Sequence, residues 1–184
     1  MADSSASSVP DYDAEDVLVV SEPTRIRALA HELRGKIVLR LRDRARSTTE
    51  LATELGLPKG TVSHHLKVLE QAGLVRVVRT RQVRALTEKY YGRTARLFLV
   101  KSADEDAGRS FVSTGLRQAA DEVLASTNRE NSTFGLLHTH LREIDARRFR
   151  KRLDKLIEEF RARDDAHGIE YGLAIAMYPL ERKT

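Results

Sequence analysis

The sequence contains no cysteine and no tryptophan among its 184 residues. Without a thiol there can be no disulfide, no thiolate metal site and no cysteine redox switch. Aromatic residues make up only 5%, so a core drawn from the 41% apolar share has to be mainly aliphatic. No apolar run approaches the roughly 18 residues that a membrane-spanning helix requires. The opening residues lack a basic stretch followed by an apolar one, so a secretory signal is not expected and a cytoplasmic location is. Patterns that carry catalysis are missing as well: no glycine-rich phosphate loop, no nucleophile elbow and no His-Glu-x-x-His. The carboxylates are dispersed among arginines in solvated helix patterns. Neither an enzyme nor a resident cofactor is expected.

One further absence is regional. The first 22 residues hold six acids and no lysine or arginine, a local charge of −6. Residues 23–100 carry 17 Lys/Arg against 6 acids, and residues 101–184 carry 15 of each. The net charge of +5 is therefore concentrated in one segment beside a neutral one. That asymmetry is the electrostatic footprint of a nucleic-acid-binding part joined to an assembly part.

Within the basic segment, residues 47–86 read STTELATELGLPKGTVSHHLKVLEQAGLVRVVRTRQVRAL. Ser47 followed by Glu50 fits a capping box, which starts a short helix with Leu51, Ala52 and Leu55 facing inward. Gly56 supplies a left-handed residue to end it, and Pro58 opens the next helix, over about Lys59 to Gln71. Val62, Leu66 and Leu69 recur at helical spacing and form its inner face. Lys59, Thr61, Ser63, His64 and Lys67 face outward, with no acid before Glu70. Two short helices set at a steep angle by a glycine-containing turn, the second with a free polar face, make a helix-turn-helix whose second helix suits the DNA major groove. His65 is expected half-buried against the preceding helices. Gly73 then breaks the pattern, and a hairpin follows in which Val75, Val77 and Leu86 alternate. Its second strand is expected over Leu86 to Tyr91 and its tip around Thr80–Arg84.

These residues resemble a known family. LATELGLPKGTVSHHLKVLEQAGLV followed by VRTRQVRALTEKYYGRTARLF is similar to the winged helix-turn-helix of ArsR-type bacterial transcriptional regulators, in a subgroup with an extended C-terminal region. The resemblance runs from about Pro23 to Phe98 and becomes diffuse beyond. It implies a fold of the α+β class, mainly α, and a homodimer that binds double-stranded DNA. It also implies repression as the usual sign, and a long dimerisation helix after the wing. The expected DNA-binding residues are Ser47, Thr48, Lys59, Thr61, Ser63, His64 and Lys67, with Arg79, Arg81 and Arg84 on the wing. Ser63, His64 and Lys67 offer donors suited to purine edges, Lys59 and Thr61 suit phosphates or outer bases, and wing arginines suit a narrow minor groove.

Around this segment the expected domains are an acidic tail over 1–16, the DNA-binding domain over 17–100, and an assembly region over 101–184. The tail looks disordered, and its acids could shield the basic surface from stray DNA. Val17–Val20 is a brief apolar run, read as a short strand or a packing segment. Helices are expected over the EPTRIRALAHEL stretch and from about Arg34, the latter with Ile37, Val38 and Leu41 inward. Arg40, Arg42, Arg44 and Arg46 crowd its end, in part as helix-dipole partners and in part as phosphate clamps. Residues 92–100 return the chain to the body, and Asp104–Ser126 reads as a long helix.

Beyond it, Thr133–Arg142 and Glu170–Pro179 alternate like strands around a helix carrying Phe149, Leu153, Leu156, Ile157 and Phe160. A small αβ extension results. His138, His140 and Glu143 are the only local cluster from which a zinc or nickel site could be drawn, and strand histidines beside a dimer seam are the more ordinary account; no metal is expected. Tyr171, Met177 and Tyr178 either fill a core or line a pocket for a small-molecule effector. Two other functions remain open at this point: a ligand- or metal-responsive sensor, and a non-specific architectural DNA binder.

Overall fold

In the computed structural model, residues 10–83, 86–101, 104–126, 133, 135–163, 165, 168–169 and 171–180 are described. The chain runs β1 (Glu15–Val20), α1 (Pro23–Leu29), α2 (Glu32–Arg40), β2 (Arg46–Ser47), α3 (Thr48–Leu55) and α4 (Lys59–Gln71). It continues through β3 (Val75–Val83), β4 (Leu86–Arg93), β5 (Ala95–Val100), α5 (Glu105–Ala125) and α6 (Glu143–Ala162). The α+β class, mainly helical, is as the sequence implies.

Helix ends follow local chemistry. Pro23 starts α1, where a missing N–H costs nothing. The chain then breaks at Ala30 and His31, and the His31 Nδ1 accepts from the Leu33 N–H at 3.2 Å to cap α2. The EPTRIRALAHEL stretch is thus a seven-residue helix and the first turn of a second, which begins earlier than its periodicity predicts. At α3 the full capping box forms: the Glu50 N–H donates to Ser47 Oγ at 3.3 Å, and the Ser47 N–H donates to Glu50 Oε2 at 2.7 Å. Gly56 ends α3 at φ +64°, a conformation that a Cβ disfavours.

Ile26, Ile37, Leu41, Leu51, Val62, Leu66, Leu69, Leu74 and Val75 are all at most 1% exposed and meet in a single core. Each contributes about 1.5–3 kcal/mol through burial. As the composition requires, this core is aliphatic; among the described residues Tyr90 and Phe98 are its buried aromatics.

Two sheets complete the fold, ordered β2-β4-β3 and β1-β5. β3 and β4 pair antiparallel, with an irregularity between Val77 and Arg79. β3 continues to Val83, so the expected hairpin tip at Thr80–Arg84 is largely strand, and β4 extends to Arg93 rather than Tyr91. Leu86 opens β4 as expected, with its side chain 77% exposed. The pattern predicts a connection over 92–100, whereas the chain forms β5, which pairs in parallel with β1 from Glu15↔Ala95 to Val20↔Val100.

That pairing corrects the expected tail. Residues 1–9 lie outside the described residues, but 11–16 are fastened to the body. The Asp11 N–H donates to the Asp43 carbonyl at 3.1 Å, and the Glu15 N–H donates to the Thr94 carbonyl at 3.0 Å. Composition alone makes this stretch look free; one tyrosine and the edge of β5 give it partners.

The expected boundary at residue 100 also falls inside the packed body. Asp104 caps α5 by accepting from the Asp106 and Ala107 N–H groups, and it pairs with Arg27 at 2.9 Å. Ala107 joins the core and Phe111 packs on it, while Thr114 Oγ1 donates to the Ala30 carbonyl at 2.7 Å.

Past α5 the expected strand-helix-strand extension is only partly formed. α6 is a 20-residue helix, but the described residues of 133–142 and 171–180 contain no strand. Alternation alone does not make a strand, because each backbone N–H and C=O needs a ladder partner. Phe134 and Glu170, part of those expected strands, lie outside the described residues. Tyr171, Met177 and Tyr178 are 48%, 41% and 52% exposed, so they do not fill a core within the described residues. His138 and His140 lie outside any strand, and the shared-face argument for pairing their imidazoles lapses.

Candidate nucleic-acid interface

The helix-turn-helix is built by α3 and α4 across a turn of three residues. The Leu57 N–H donates to the Ala52 carbonyl at 2.9 Å, closing the end of α3. Pro58 then holds extended geometry at φ −60° and ψ 139°, and its carbonyl accepts from the Thr61 and Val62 N–H groups. α4 has 13 residues, so it is about 20 Å long. Val62, Leu66 and Leu69 anchor its inner face at 0–1% exposure, which fixes the rotation of the outer face.

That outer face is as the spacing predicts for four of its five residues. Lys59, Ser63, His64 and Lys67 are exposed, whereas Thr61 is half-buried. Among the described residues neither lysine has a salt-bridge partner. No acid lies in the first turn of α4 and no side chain caps it, leaving backbone N–H groups and a positive helix end available to an anion. His65 is half-buried, with its ring 4.8 Å from His31 and 5.3 Å from His64. Burial and the neighbouring His31, Arg34 and His64 push its pKa below the usual histidine value. Burial and Arg34 lower that of His31, against a smaller opposing pull from Glu32.

Ser47 and Thr48 divide in role. The Ser47 side chain is 1% exposed and its hydroxyl is committed to the α3 cap, so it is not a surface donor as expected. Thr48, at the first position of α3, is half-buried. On the wing, Arg79 and Arg81 are exposed on β3, and Arg84 lies outside the described residues. Arg79 is also the best held of these: its guanidinium lies 4.9 Å from the Tyr90 ring centre and 3.1 Å from Asp11 Oδ2.

The arginine cluster ahead of α3 is more structural than its composition suggests. Glu54 gathers Arg46 at 2.8 Å, Arg44 at 3.4 Å and Arg40 at 3.8 Å, and Arg42 pairs with Asp43 at 2.9 Å. Sequence reasoning passes over Glu54 because an acid on a short helix reads as solvated; the preceding run of alternating arginines was the signal that it had partners. Sequence reasoning also passes over Tyr12, whose hydroxyl donates to the Leu41 carbonyl and accepts from the Arg93 N–H at 3.0 Å. Burial raises its pKa.

Part of the chain is similar to known proteins. Residues 29–78 match the family model described as a helix-turn-helix domain. Over 50 residues the chain is 48% identical to the HTH-type transcriptional repressor SmtB of Mycobacterium tuberculosis, in both the CDC 1551 / Oshkosh and H37Rv strains. The match covers 27% of this chain and spans 37% of the length of those relatives. Among solved structures, a possible transcriptional regulatory protein (fragment 1–100) from Mycobacterium bovis is 26% identical, with 53% of this chain and 88% of that one covered at a TM-score of 0.33. HlyU from Vibrio cholerae is also 26% identical, over 53% of this chain and 87% of that one, at a TM-score of 0.34.

Proposed function

We propose that this chain, whose helix-turn-helix segment is of the ArsR type, is a DNA-binding transcriptional regulator that acts as a homodimer on a palindrome-like site. The carrying observation is α4: an exposed face of Lys59, Ser63, His64 and Lys67, free of acids up to Glu70, on a helix whose opposite face is fully buried. A rigid helix with such a face can enter the major groove and present donors to base edges. Thr48 and Thr61 fit the phosphates beside it, and Arg79, Arg81 and Arg84 fit the backbone or minor groove next to the wing. Repression is the proposed sign, by likeness to the mycobacterial SmtB repressor.

Residues 17–100 supply the DNA contacts in this reading, and 101–184 supply assembly. Support for assembly comes from α5, where Val112, Leu116, Val123 and Leu124 are 40–85% exposed along one helix. Such an apolar stripe is costly to leave in water, and a second copy would cover it by two-fold symmetry.

The test is binding of the full chain to the DNA upstream of its own gene, titrated with salt and with excess random competitor. Binding that survives competitor and protects a two-fold site is the expected result. Binding lost to competitor at about 0.2 M salt leaves only the sequence-independent electrostatic part. A non-specific architectural role would then replace this reading.

A further inference from the structure

The acidic segment before β1 does more than lie near the basic body. Its Asp11 carboxylate divides its two oxygens between two donors: Oδ1 accepts from the Ala45 N–H at 2.6 Å, and Oδ2 pairs with Arg79 at 3.1 Å. Arg76 donates to the Asp13 carbonyl at 2.8 Å, fastening the same segment to β3. Tyr12, between them, fits against Gly92, where an added Cβ would lie 2.7 Å from the ring. The contact therefore has a shaped seat, held by two hydrogen bonds at the tyrosine hydroxyl, one donated to the Leu41 carbonyl and one accepted from the Arg93 N–H.

The donor pair that Asp11 occupies lies beside the proposed DNA surface. Ser47 is paired with Tyr90, and Tyr90 with Arg79, so the three form one row across β2, β4 and β3. Ala45 directly precedes β2, and Thr48 begins α3 at the end of that row. One backbone N–H and one guanidinium converging on an anionic oxygen group is also how a DNA backbone phosphate is held.

We propose that the Ala45 N–H and Arg79 form a phosphate-binding site for the DNA backbone, and that Asp11 fills it in the free protein. DNA must displace this carboxylate to gain the contact. The strap therefore tempers sequence-independent binding, and it releases Arg79 only where the remaining contacts favour the exchange. The inference rests on the DNA-binding reading above and assigns to it one regulated contact.

The experiment is a double-mutant cycle in the full chain with Asp11→Asn and Arg79→Ala, read by binding to a short random-sequence duplex across a salt series. Asparagine keeps one oxygen as the acceptor for the Ala45 N–H and replaces the oxygen that Arg79 pairs with by an uncharged NH2, so the Ala45, Tyr12 and Asp13 contacts keep the strap seated; unchanged thermal melting verifies this. Asp11→Asn is expected to tighten random-duplex binding about two- to fivefold at low salt, the range of an exposed ion pair. It should also steepen the log K against log salt slope by about one, a single added phosphate contact. In the Arg79→Ala background the same substitution should change neither. Equal or weaker binding by Asp11→Asn, or a gain that persists without Arg79, overturns the proposal while leaving the DNA-binding reading intact. A wild-type chain that binds no duplex DNA at all overturns both.

Discussion

At the residue scale, a histidine in this fold is tied to stability through its surroundings. His31 and His65 lie ring against ring where the cap of α2 meets α4, and both have pKa values below the usual value of 6.5. Among the described residues, His65 Nδ1 is buried without a hydrogen-bond partner. Charging either ring brings it against the other, against Arg34 and, for His65, against His64; Glu32 is the acid that offsets this at His31. The sign follows from proton counting. Between the lowered folded value and the unfolded value near 6.5, the unfolded chain binds more protons, so stability rises with pH. Urea midpoints should therefore drop as pH falls from about 7.5 through 6.5, and the drop should level off once both states are protonated. His65→Asn should flatten that slope. An unchanged slope in the variant would place the acid sensitivity elsewhere.

At the element scale, the parts that were legible in the sequence are those written in local chemistry. The Ser47–Glu50 box, Gly56 and the Val62, Leu66 and Leu69 spacing define α3 and α4, because caps and helical faces depend on neighbours within four residues. What was not legible depends on distant partners. Val17–Val20 becomes a strand only because Ala95–Val100 lies beside it, and a parallel pair across some 80 residues leaves no local signature. The reverse error has the same root: 133–142 alternates as a strand should, yet the described residues there have no strand partner. For the interface, spacing identified the exposed face of α4 but misjudged Ser47, whose hydroxyl serves the helix rather than the surface. Lys67 is the sharpest test of that face, since it lies exposed on α4 one turn beyond Ser63 and without a salt-bridge partner among the described residues. Lys67→Ala should weaken operator binding by about 1–3 kcal/mol if it reads a base edge, with a smaller loss on random DNA. Equal losses on both, with a salt slope shallower by about one, would move Lys67 to the phosphate backbone. Folding should be unaffected, because the buried anchors of α4 are on the other side.

At the scale of the whole molecule, charge and apolar surface are separated along the chain. The excess of positive charge lies in residues 23–100, and Asp11 and Asp16 of the acidic segment are drawn onto its arginines. Most of the exposed large apolar side chains among the described residues lie beyond it, several of them on α5 and α6. α6 has no buried residue, and Phe149, Leu156 and Phe160 are 43–46% exposed along it. α5 differs in being anchored: its first turns pack on α1 and α2, so its exposed stripe is held rigidly relative to α4. A two-fold axis through that stripe would fix the separation of two recognition helices, for which one DNA turn of about 34 Å is required. Leu116 is the position at which to test this, because it is 41% exposed and outside the core cluster. Leu116→Asp should leave the thermal melting of the monomeric fold nearly unchanged while placing a charge in the centre of the stripe. Sedimentation should then show a dimer for the wild type and a monomer for the variant. Operator protection should shrink to a half-site, with affinity reduced by at least about a hundredfold as the two half-sites lose their linkage. A variant that remains dimeric would move the symmetric interface away from α5. A variant that is monomeric yet protects the full site would show that each chain binds its half-site independently.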